Sequence, residues 1–311
     1  MNVHEVDWML SPPPVGLGPC GLTLGNFDGL HLGHQQLLKL LQSESEIKCL
    51  PKVVLTFDPH PLQVLQPEKK LQKMYQWSDE YEVLQNWGVD HLVLQKFTTA
   101  FASLSATDFL QLYIEKNFSP QLIVVGDNFF FGKDRRGNPQ FLQDYCKANN
   151  KTCIVVPAFY WQKEKVSSSL IRTALKDGDA DKAKNLLGRP FRYSGVVIHG
   201  HHRGRSIGVP TANLQTAVQF SPRLGVYCSK LLWQGQSYPS ITNVGINPTV
   251  TSSSNLKIET HVLQKDINLY DQSVAVDLLH FLRDEKKFAS IEELKIQIQK
   301  DIQQAQGFFY E

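Results

Sequence analysis

Two histidines stand three residues apart at the end of a glycine-rich segment, residues 25–34, near the start of the chain. Glycines such as Gly25 let backbone N–H groups approach a phosphate, and the N-terminus of a following helix favours its negative charge. Residues at i and i+3 share one side of a helix, so His31 and His34 could both donate to phosphate oxygens as charge builds during transfer. A bare pair of this spacing is more often two surface histidines. The preceding Phe27 and Asp28 favour the phosphate site.

Two further segments of the first half are candidate parts of a binding site. Asp58 and His60 stand in a proline-flanked loop after an apolar run, and a rigid turn is an equally good interpretation of this loop taken alone. Asn128 and Phe129 begin a segment with three consecutive phenylalanines, which could form a wall for a planar ring. Core packing is the alternative, and we expect it for at least one of these rings.

Ser168 and Ser169 stand at the start of a predicted helix, and Arg172 lies one turn further on. Hydroxyl and N–H donors beside a guanidinium can hold a triphosphate. A capping serine and a surface arginine are the ordinary alternative.

The second half has candidates of another kind. If residues 211–213 are extended, the hydroxyl of Thr211 and the amide oxygen of Asn213 point to the same side. Hard oxygen donors suit a Mg²⁺ ion that also binds phosphates. Asn243 lies in a turn-rich strand exit, which could be only that. Glu259 lies inside an apolar strand, where a glutamate is either solvated or held in a cleft.

Up to about residue 187, short apolar runs alternate with helical patterns, which predicts βαβ units and a parallel sheet whose ligands bind at the carboxyl ends of the strands. Strands are predicted at 50–57, 90–96, 121–125 and 151–157, and helices at 34–41, 79–87, 106–117, 139–149, 168–175 and 179–187.

After residue 188, strand-like runs follow one another without helices, which predicts an antiparallel barrel or sandwich. A domain boundary is therefore predicted between residues 1–187 and 188–311. The predicted strands are 191–199, 225–233, 238–244, 257–263 and 273–282, and a helix begins near residue 291.

The set of motifs resembles the bacterial bifunctional riboflavin kinase/FMN adenylyltransferase (FAD synthetase) family. Residues 25–34, 58–61, 126–137 and 167–172 are similar to its four nucleotidyltransferase signatures, in the family's order. Much of the chain from residue 189 onward is similar to its riboflavin kinase module.

The resemblance implies an α/β Rossmann-like nucleotidyltransferase domain, then an antiparallel β-barrel riboflavin kinase domain with a C-terminal helix. It implies ATP-dependent phosphorylation of riboflavin to FMN and adenylylation of FMN to FAD, with Mg²⁺ as cofactor. The implied catalytic residues are Glu259, His31, His34 and Arg172. ATP contacts are implied for Gly25, Phe27, Asp28, Gly33, Ser168 and Ser169 in the adenylyltransferase, and for Gly200, Gly204, Gly208, Pro210 and Asn243 in the kinase. Flavin contacts are implied for Asp58, His60, Asn128 and Phe129, and metal ligands are implied to be Thr211 and Asn213.

Three places depart from the family's usual pattern. His201 and His202 replace a commoner small or acidic pair, and Gln264 with Lys265 stand where an aspartate usually follows. Asp271 stands where glycine usually follows the Leu-Tyr pair.

Composition limits the other classes of function. The 311 residues carry a formal net charge of +2, so no whole-chain field draws the protein to nucleic acid or a membrane. The five cysteines are odd in number and have no Cys-x-x-Cys spacing, which argues against a disulfide framework or structural zinc. The first residues lack the pattern of a signal peptide. We expect a cytoplasmic enzyme without an obligate protein partner; the alternative is an FMN adenylyltransferase with a weak or silent kinase module.

Overall fold

The fold is that of a computed structural model, which describes residues 1–10, 17–199, 209–218, 220–246, 256–265 and 267–310. The chain forms two compact units. The first comprises Met1–Gln72 and Trp77–Val166, and the second comprises Lys73–Gln76 and Ser167–Glu311.

The first unit is built on a six-stranded sheet in the order β1-β4-β3-β2-β5-β6, and each neighbouring pair is parallel. The predicted parallel sheet is therefore confirmed. Its strands are β1 (Asn2–Val6), β2 (Cys20–Leu24), β3 (Lys52–Asp58), β4 (His91–Lys96), β5 (Pro120–Gly126) and β6 (Thr152–Val156).

The central strands are continuously apolar because both of their faces are covered. In β3, Val53 and Leu55 pack in a core on one side of the sheet, and Val54 packs in a second core on the other side. All five residues of β2 are buried. An apolar run without alternation therefore marks an interior strand here.

Helices cover both faces of this sheet. They are α1 (Leu32–Ile47), α2 (Pro61–Leu65), α3 (Trp77–Asn86), α4 (Thr99–Ala102), α5 (Ala106–Asp108), a π-helical segment (Phe109–Glu115), α6 (Lys116–Phe118) and α7 (Pro139–Ala148), and 3₁₀ turns lie at Pro67–Lys69 and Lys133–Arg135. A two-stranded hairpin of β7 (Tyr160–Trp161) and β8 (Glu164–Lys165) follows β6.

The second unit contains a closed barrel in the order β10-β13-β12-β11-β14-β9, with antiparallel neighbours. Of the two predicted architectures, the barrel is confirmed. Its elements are α8 (Ser168–Asp177), α9 (Ala180–Leu187), β9 (Phe191–Ile198), β10 (Ala212–Gln215), β11 (Gly225–Trp233), β12 (Gln236–Ile246), β13 (Leu256–Val262), β14 (Ser273–Asp284) and the C-terminal helix α10 (Ile291–Tyr310).

Helices α8 and α9 belong to the compact unit of the barrel, although the sequence places them in the first domain. The side chains of Leu186 and Leu187 are fully buried, and α9 packs against β9 and β14. Tyr75, from the short segment that joins this unit, lies 5.2 Å from the ring of Phe191. The compact unit therefore begins before the predicted boundary at residue 188.

The C-terminal helix covers part of the outer surface of the barrel. Ala305 of α10 is fully buried in an apolar cluster with Val226, Cys228, Ile241 and Leu263. Within the described residues, no helix combines the length and the apolar character needed to span a bilayer.

Candidate active sites

His31 forms the N-cap of α1. Its Nδ1 accepts a hydrogen bond from the backbone N–H of His34 at 3.3 Å. An acceptor nitrogen carries no proton, so the neutral ring of His31 carries its proton on Nε2. The rings of His31 and His34 stack with centroids 3.7 Å apart and an interplanar angle of 14°. Both imidazoles therefore lie on one side of the first helical turn.

Small and apolar neighbours hold these rings. A Cβ atom at Gly33 would lie 3.2 Å from Cε1 and Nδ1 of His31, so a larger residue would crowd the imidazole. The side chain of Phe27 is fully buried, and its ring meets His34 edge-on at 5.1 Å. A Cβ at Gly25 would lie 3.4 Å from the ring of Phe27. Contacts of Phe27 with a nucleotide would therefore go through its main chain.

Glu80 is a residue of this site that sequence reasoning missed. Its carboxylate is 1% exposed and accepts a hydrogen bond from the N–H of Gly29 at 2.8 Å. Gly29 has a φ of 92°, a conformation that favours glycine. Asp28 beside it is also buried. An acidic residue in the first turn of α3 was the only sequence signal, and it does not indicate which loop the residue contacts.

The other candidates of the first unit follow neighbouring strands. Asp58 is the exposed last residue of β3, and Asn128 is exposed just after β5. Because β3, β2 and β5 are adjacent and parallel, these residues and the loop of His31 lie at the same edge of the sheet. His60 caps α2, since its Nδ1 accepts from the N–H of Leu62 at 3.1 Å.

The three consecutive phenylalanines occupy three environments. Phe131 is buried in the core, as expected for at least one of them. Phe129 is half-buried and stacks on Phe131 with centroids 5.3 Å apart. Phe130 is 44% exposed, and the guanidinium of Arg135 lies 4.7 Å from its ring centroid.

The serine motif forms the start of α8, in the second unit. Ser167 is the N-cap, and its hydroxyl accepts from the N–H of Leu170 at 3.2 Å. Ser168 and Arg172 are half-buried and four residues apart, so they share a helix face, whereas Ser169 is exposed.

The second unit has a cavity of about 820 Å³ against the outer surface of its barrel. Glu259 of β13 is paired in register with Asn213 of β10 on one side and Asn243 of β12 on the other. Side chains of cross-strand partners lie on the same face, so the three form a row across three strands. All three line the cavity, together with Thr211 and Pro210.

Lys257 is a second residue that sequence reasoning missed. Its Nζ lies 2.7 Å from Oε2 of Glu259, and the two side chains are 35% and 26% exposed. Residues at i and i+2 share a strand face, so a lysine two positions before a cleft glutamate was the available signal. The glutamate therefore lines a cleft rather than an open solvent face.

Thr211 and Asn213 fit the proposed metal. Both side chains supply oxygen donors to the cavity that Glu259 lines, and Mg²⁺ takes hard oxygen ligands. Within the described parts of the chain, no group of three or more His, Cys, Asp and Glu side chains could hold a metal. A Mg²⁺ ion bound by few protein ligands completes its shell with water and substrate phosphates.

Several sequence predictions lie outside the described residues, namely Gly200, Gly204, Gly208, His201 and His202.

Three other residues that differ from the family's usual pattern lie in the described part of the chain. The Nζ of Lys265 lies 5.0 Å from the centroid of the Tyr238 ring. Asp271 has a φ of 62°, and Gln264 has a φ of 58°. A left-handed φ is one that glycine adopts freely and aspartate tolerates, which explains how Asp271 replaces glycine.

Comparisons with known proteins match each half of the chain to a protein family. The FAD synthetase family model matches residues 16–170, and the riboflavin kinase family model matches residues 187–309. The bifunctional riboflavin kinase/FMN adenylyltransferase of Haemophilus influenzae is 36% identical over 291 residues, which cover 93% of this chain and 94% of that protein. The protein of the same name from Listeria monocytogenes is 34% identical over 290 residues, covering 93% and 92%.

A crystal structure described as a macrolide-efflux protein from Streptococcus pneumoniae has a TM-score of 0.87 and 31% sequence identity, covering 98% of this chain and 99% of that chain. The curated relatives match along nearly their whole length at more than 30% identity, and on that ground the chain belongs to the bifunctional riboflavin kinase/FMN adenylyltransferase family.

Proposed function

We propose that this protein phosphorylates riboflavin to FMN and adenylylates FMN to FAD, with ATP as co-substrate in both reactions. The observation that carries the proposal, beside family membership, is the row of Asn213, Glu259 and Asn243 along one cavity. A carboxylate flanked by two neutral amides has the chemistry of a general base next to a phosphate-binding surface.

In the kinase reaction, Glu259 takes the proton of the riboflavin 5′-hydroxyl as that oxygen attacks the γ-phosphorus of ATP and ADP leaves. Lys257 contacts Oε2 of Glu259, so we assign Oε1 to the hydroxyl proton. Thr211 and Asn213 would hold Mg²⁺, which when bound neutralises charge on the phosphates. Pro210 and Asn243 line the same cavity and are assigned to ATP.

In the adenylyl transfer, an oxygen of the FMN phosphate attacks the α-phosphorus of ATP, and pyrophosphate leaves. The reaction needs no covalent enzyme intermediate, so positioning and charge stabilisation account for the catalysis. The stacked His31 and His34 are assigned to the ATP phosphates, as are Ser168 and Arg172 by the resemblance. Asp58 and Asn128, at the carboxyl edge of the sheet, are assigned to the flavin.

We further assign the protein to the cytoplasm, where ATP is available, with no nucleic acid, membrane or obligate protein partner. All five cysteines are free thiols, as a reducing compartment would keep them.

The kinase assignment is tested by Glu259→Gln, with Glu292→Gln, at an exposed position of α10, as the matched control. The protein is incubated with riboflavin, ATP and Mg²⁺, and the flavins are separated by chromatography. Loss of a positioned base lowers kcat for FMN formation by roughly two to four orders of magnitude. FAD formation from supplied FMN should persist in both variants. A Glu259→Gln enzyme within a few-fold of wild type would leave Glu259 without a catalytic role.

The same assay separates the alternative function. A chain with a silent kinase module converts supplied FMN to FAD but makes no FMN from riboflavin.

A further inference from the structure

His261 lies on the cavity face of β13, two residues beyond Glu259, and its imidazole contacts the segment that leads into β10. Nδ1 of His261 is 2.8 Å from the carbonyl oxygen of Pro210. A carbonyl oxygen can only accept, so Nδ1 carries the proton and donates it. His261 and Pro210 both line the cavity.

The bond stands where the backbone pairing of the two strands ends. The pairing of β10 with β13 comprises three residue pairs, from Leu214 with Ile258 to Ala212 with Thr260. Proline has no N–H to give to a ladder, so the backbone cannot donate from Pro210. At this position the side chain of His261 makes the contact between the two segments.

The anchored segment leads directly into the proposed metal ligands. Thr211 follows Pro210, and Asn213 lies opposite Glu259 in the register. The pairing of β10 with its other neighbour, β9, begins only at Asn213, so the bond to Pro210 lies beyond the backbone ladders on both sides of β10. A shift of this backbone would move both oxygen donors relative to the carboxylate of Glu259.

We propose that His261 is a positioning residue of the kinase site, which fixes the backbone of Thr211 and Asn213 through its hydrogen bond to Pro210. This inference rests on the proposed kinase function. It assigns to His261 no contact with a substrate and no proton transfer.

The test compares His261→Asn with His261→Gln. The amide nitrogen of asparagine is bonded to Cγ, as Nδ1 of histidine is, so His261→Asn keeps a donor at the position that bonds to Pro210. Glutamine places its amide nitrogen one bond further out and matches Nε2 instead. The two variants are alike in polarity and differ in where the donor lies.

Two measurements are made on the full-length protein. Hydrogen exchange of the backbone amides in residues 209–215 reports the anchoring without any ligand. Steady-state kinetics of FMN formation give KM for ATP at saturating Mg²⁺, KM for riboflavin and kcat.

In His261→Gln we expect exchange in 209–215 to be about 3- to 10-fold faster and KM for ATP to be raised by a similar factor, the usual worth of one hydrogen bond. KM for riboflavin should change less than twofold, and FAD formation from supplied FMN should be unchanged. His261→Asn should match wild type in exchange and in KM for ATP.

Two outcomes would overturn the inference: a His261→Asn enzyme as impaired as His261→Gln, or a His261→Gln enzyme that equals wild type in both measurements. If His261→Gln does not fold, His261→Asn decides alone, because a folded but impaired Asn variant contradicts the proposal. Wild-type protein that makes no FMN would refute the proposed kinase function, whereas faster exchange in His261→Gln would still show that the bond anchors the strand.

Discussion

Asp301 is a buried carboxylate of α10 that forms an ion pair with Arg283 of the barrel strand β14. It is 1% exposed. Its Oδ1 accepts from Nε of Arg283 at 2.8 Å and from Nε2 of Gln297 at 2.9 Å, and its Oδ2 accepts from Nη2 of Arg283 at 2.6 Å. Arg283 is the second-last residue of β14, the strand that precedes α10, and its side chain is 15% exposed.

Asp301→Ala would leave this guanidinium buried without its counter-charge. Removing one partner of a buried pair costs about 3–5 kcal/mol, because the remaining charge loses both its water and its partner. We therefore expect the free energy of unfolding of the second unit to fall by about that amount. Asp301→Asn keeps the shape and an acceptor oxygen but loses the charge, so its loss should be smaller.

The barrel offers a matched control in Arg223 and Asp284. This pair has the same two-pronged geometry, with distances of 2.7 and 2.8 Å, but its side chains are 42% and 60% exposed. The guanidinium of Arg223 lowers the pKa of Asp284, but water screens the attraction and hydrates whichever partner is left. Asp284→Ala should therefore destabilise the protein far less than Asp301→Ala.

The measurement is urea unfolding of the full-length variants, followed by circular dichroism, with hydrogen exchange of β14 and α10 identifying the transition of the second unit. The two alanine variants should differ by at least 2 kcal/mol, the gap between the usual costs of buried and exposed pairs, which is roughly a 30-fold difference in the unfolding equilibrium constant. Equal losses in the two variants would refute the argument that burial sets the cost.

Three further results are expected. Replacing His31 and His34 together by Ala should abolish FAD formation from FMN and leave FMN formation from riboflavin largely intact; unchanged FAD synthesis would contradict their assignment. Burial, and next the neighbouring His91, lower the pKa of His4 below its ordinary 6.5. The unfolded chain therefore binds the proton more readily, so stability should fall as the pH drops below 6.5 in thermal melts, and His4→Gln should flatten that dependence. A fragment of residues 167–311 should resist urea better than one of residues 189–311, because the shorter one lacks two helices that pack in this unit; equal midpoints would count against that packing.

The elements that the sequence predicted well are those in which one local signal agrees with the tertiary environment. The apolar run of β3 and the consecutive strands after residue 188 are of this kind, because burial alone explains their composition. The strand β1 escaped prediction because it is an edge strand with four of its five residues not fully buried. Edge strands need fewer apolar residues, so their composition resembles that of a loop.

The residues of the candidate sites also differ in how far a local sequence signal indicates them. Motif residues such as His31 and Glu259 could be predicted because each stands in a recognisable local sequence. Lys257 was missed although it stands two positions before Glu259 on the same strand. Glu80 could not be predicted, because its role comes from one contact with the N–H of Gly29, 51 residues away. A single sequence does not indicate which long-range pair will form.

The position of α8 and α9 shows why periodicity and packing divide this chain at different residues. Both helices continue the α/β alternation of the first half, so the sequence pattern assigns residues 168–187 to it, and the riboflavin kinase family model begins at residue 187. Both helices nevertheless contact other elements of the second unit: α9 lies against β9 and β14, α8 packs against α9, and the N–H of Arg223 donates to the carbonyl of Leu175 in α8. A barrel closed on itself still has an outer surface, and its apolar parts must be covered. Because these helices provide part of that cover, the smallest stable form of the barrel should extend beyond the segment that its own motifs define.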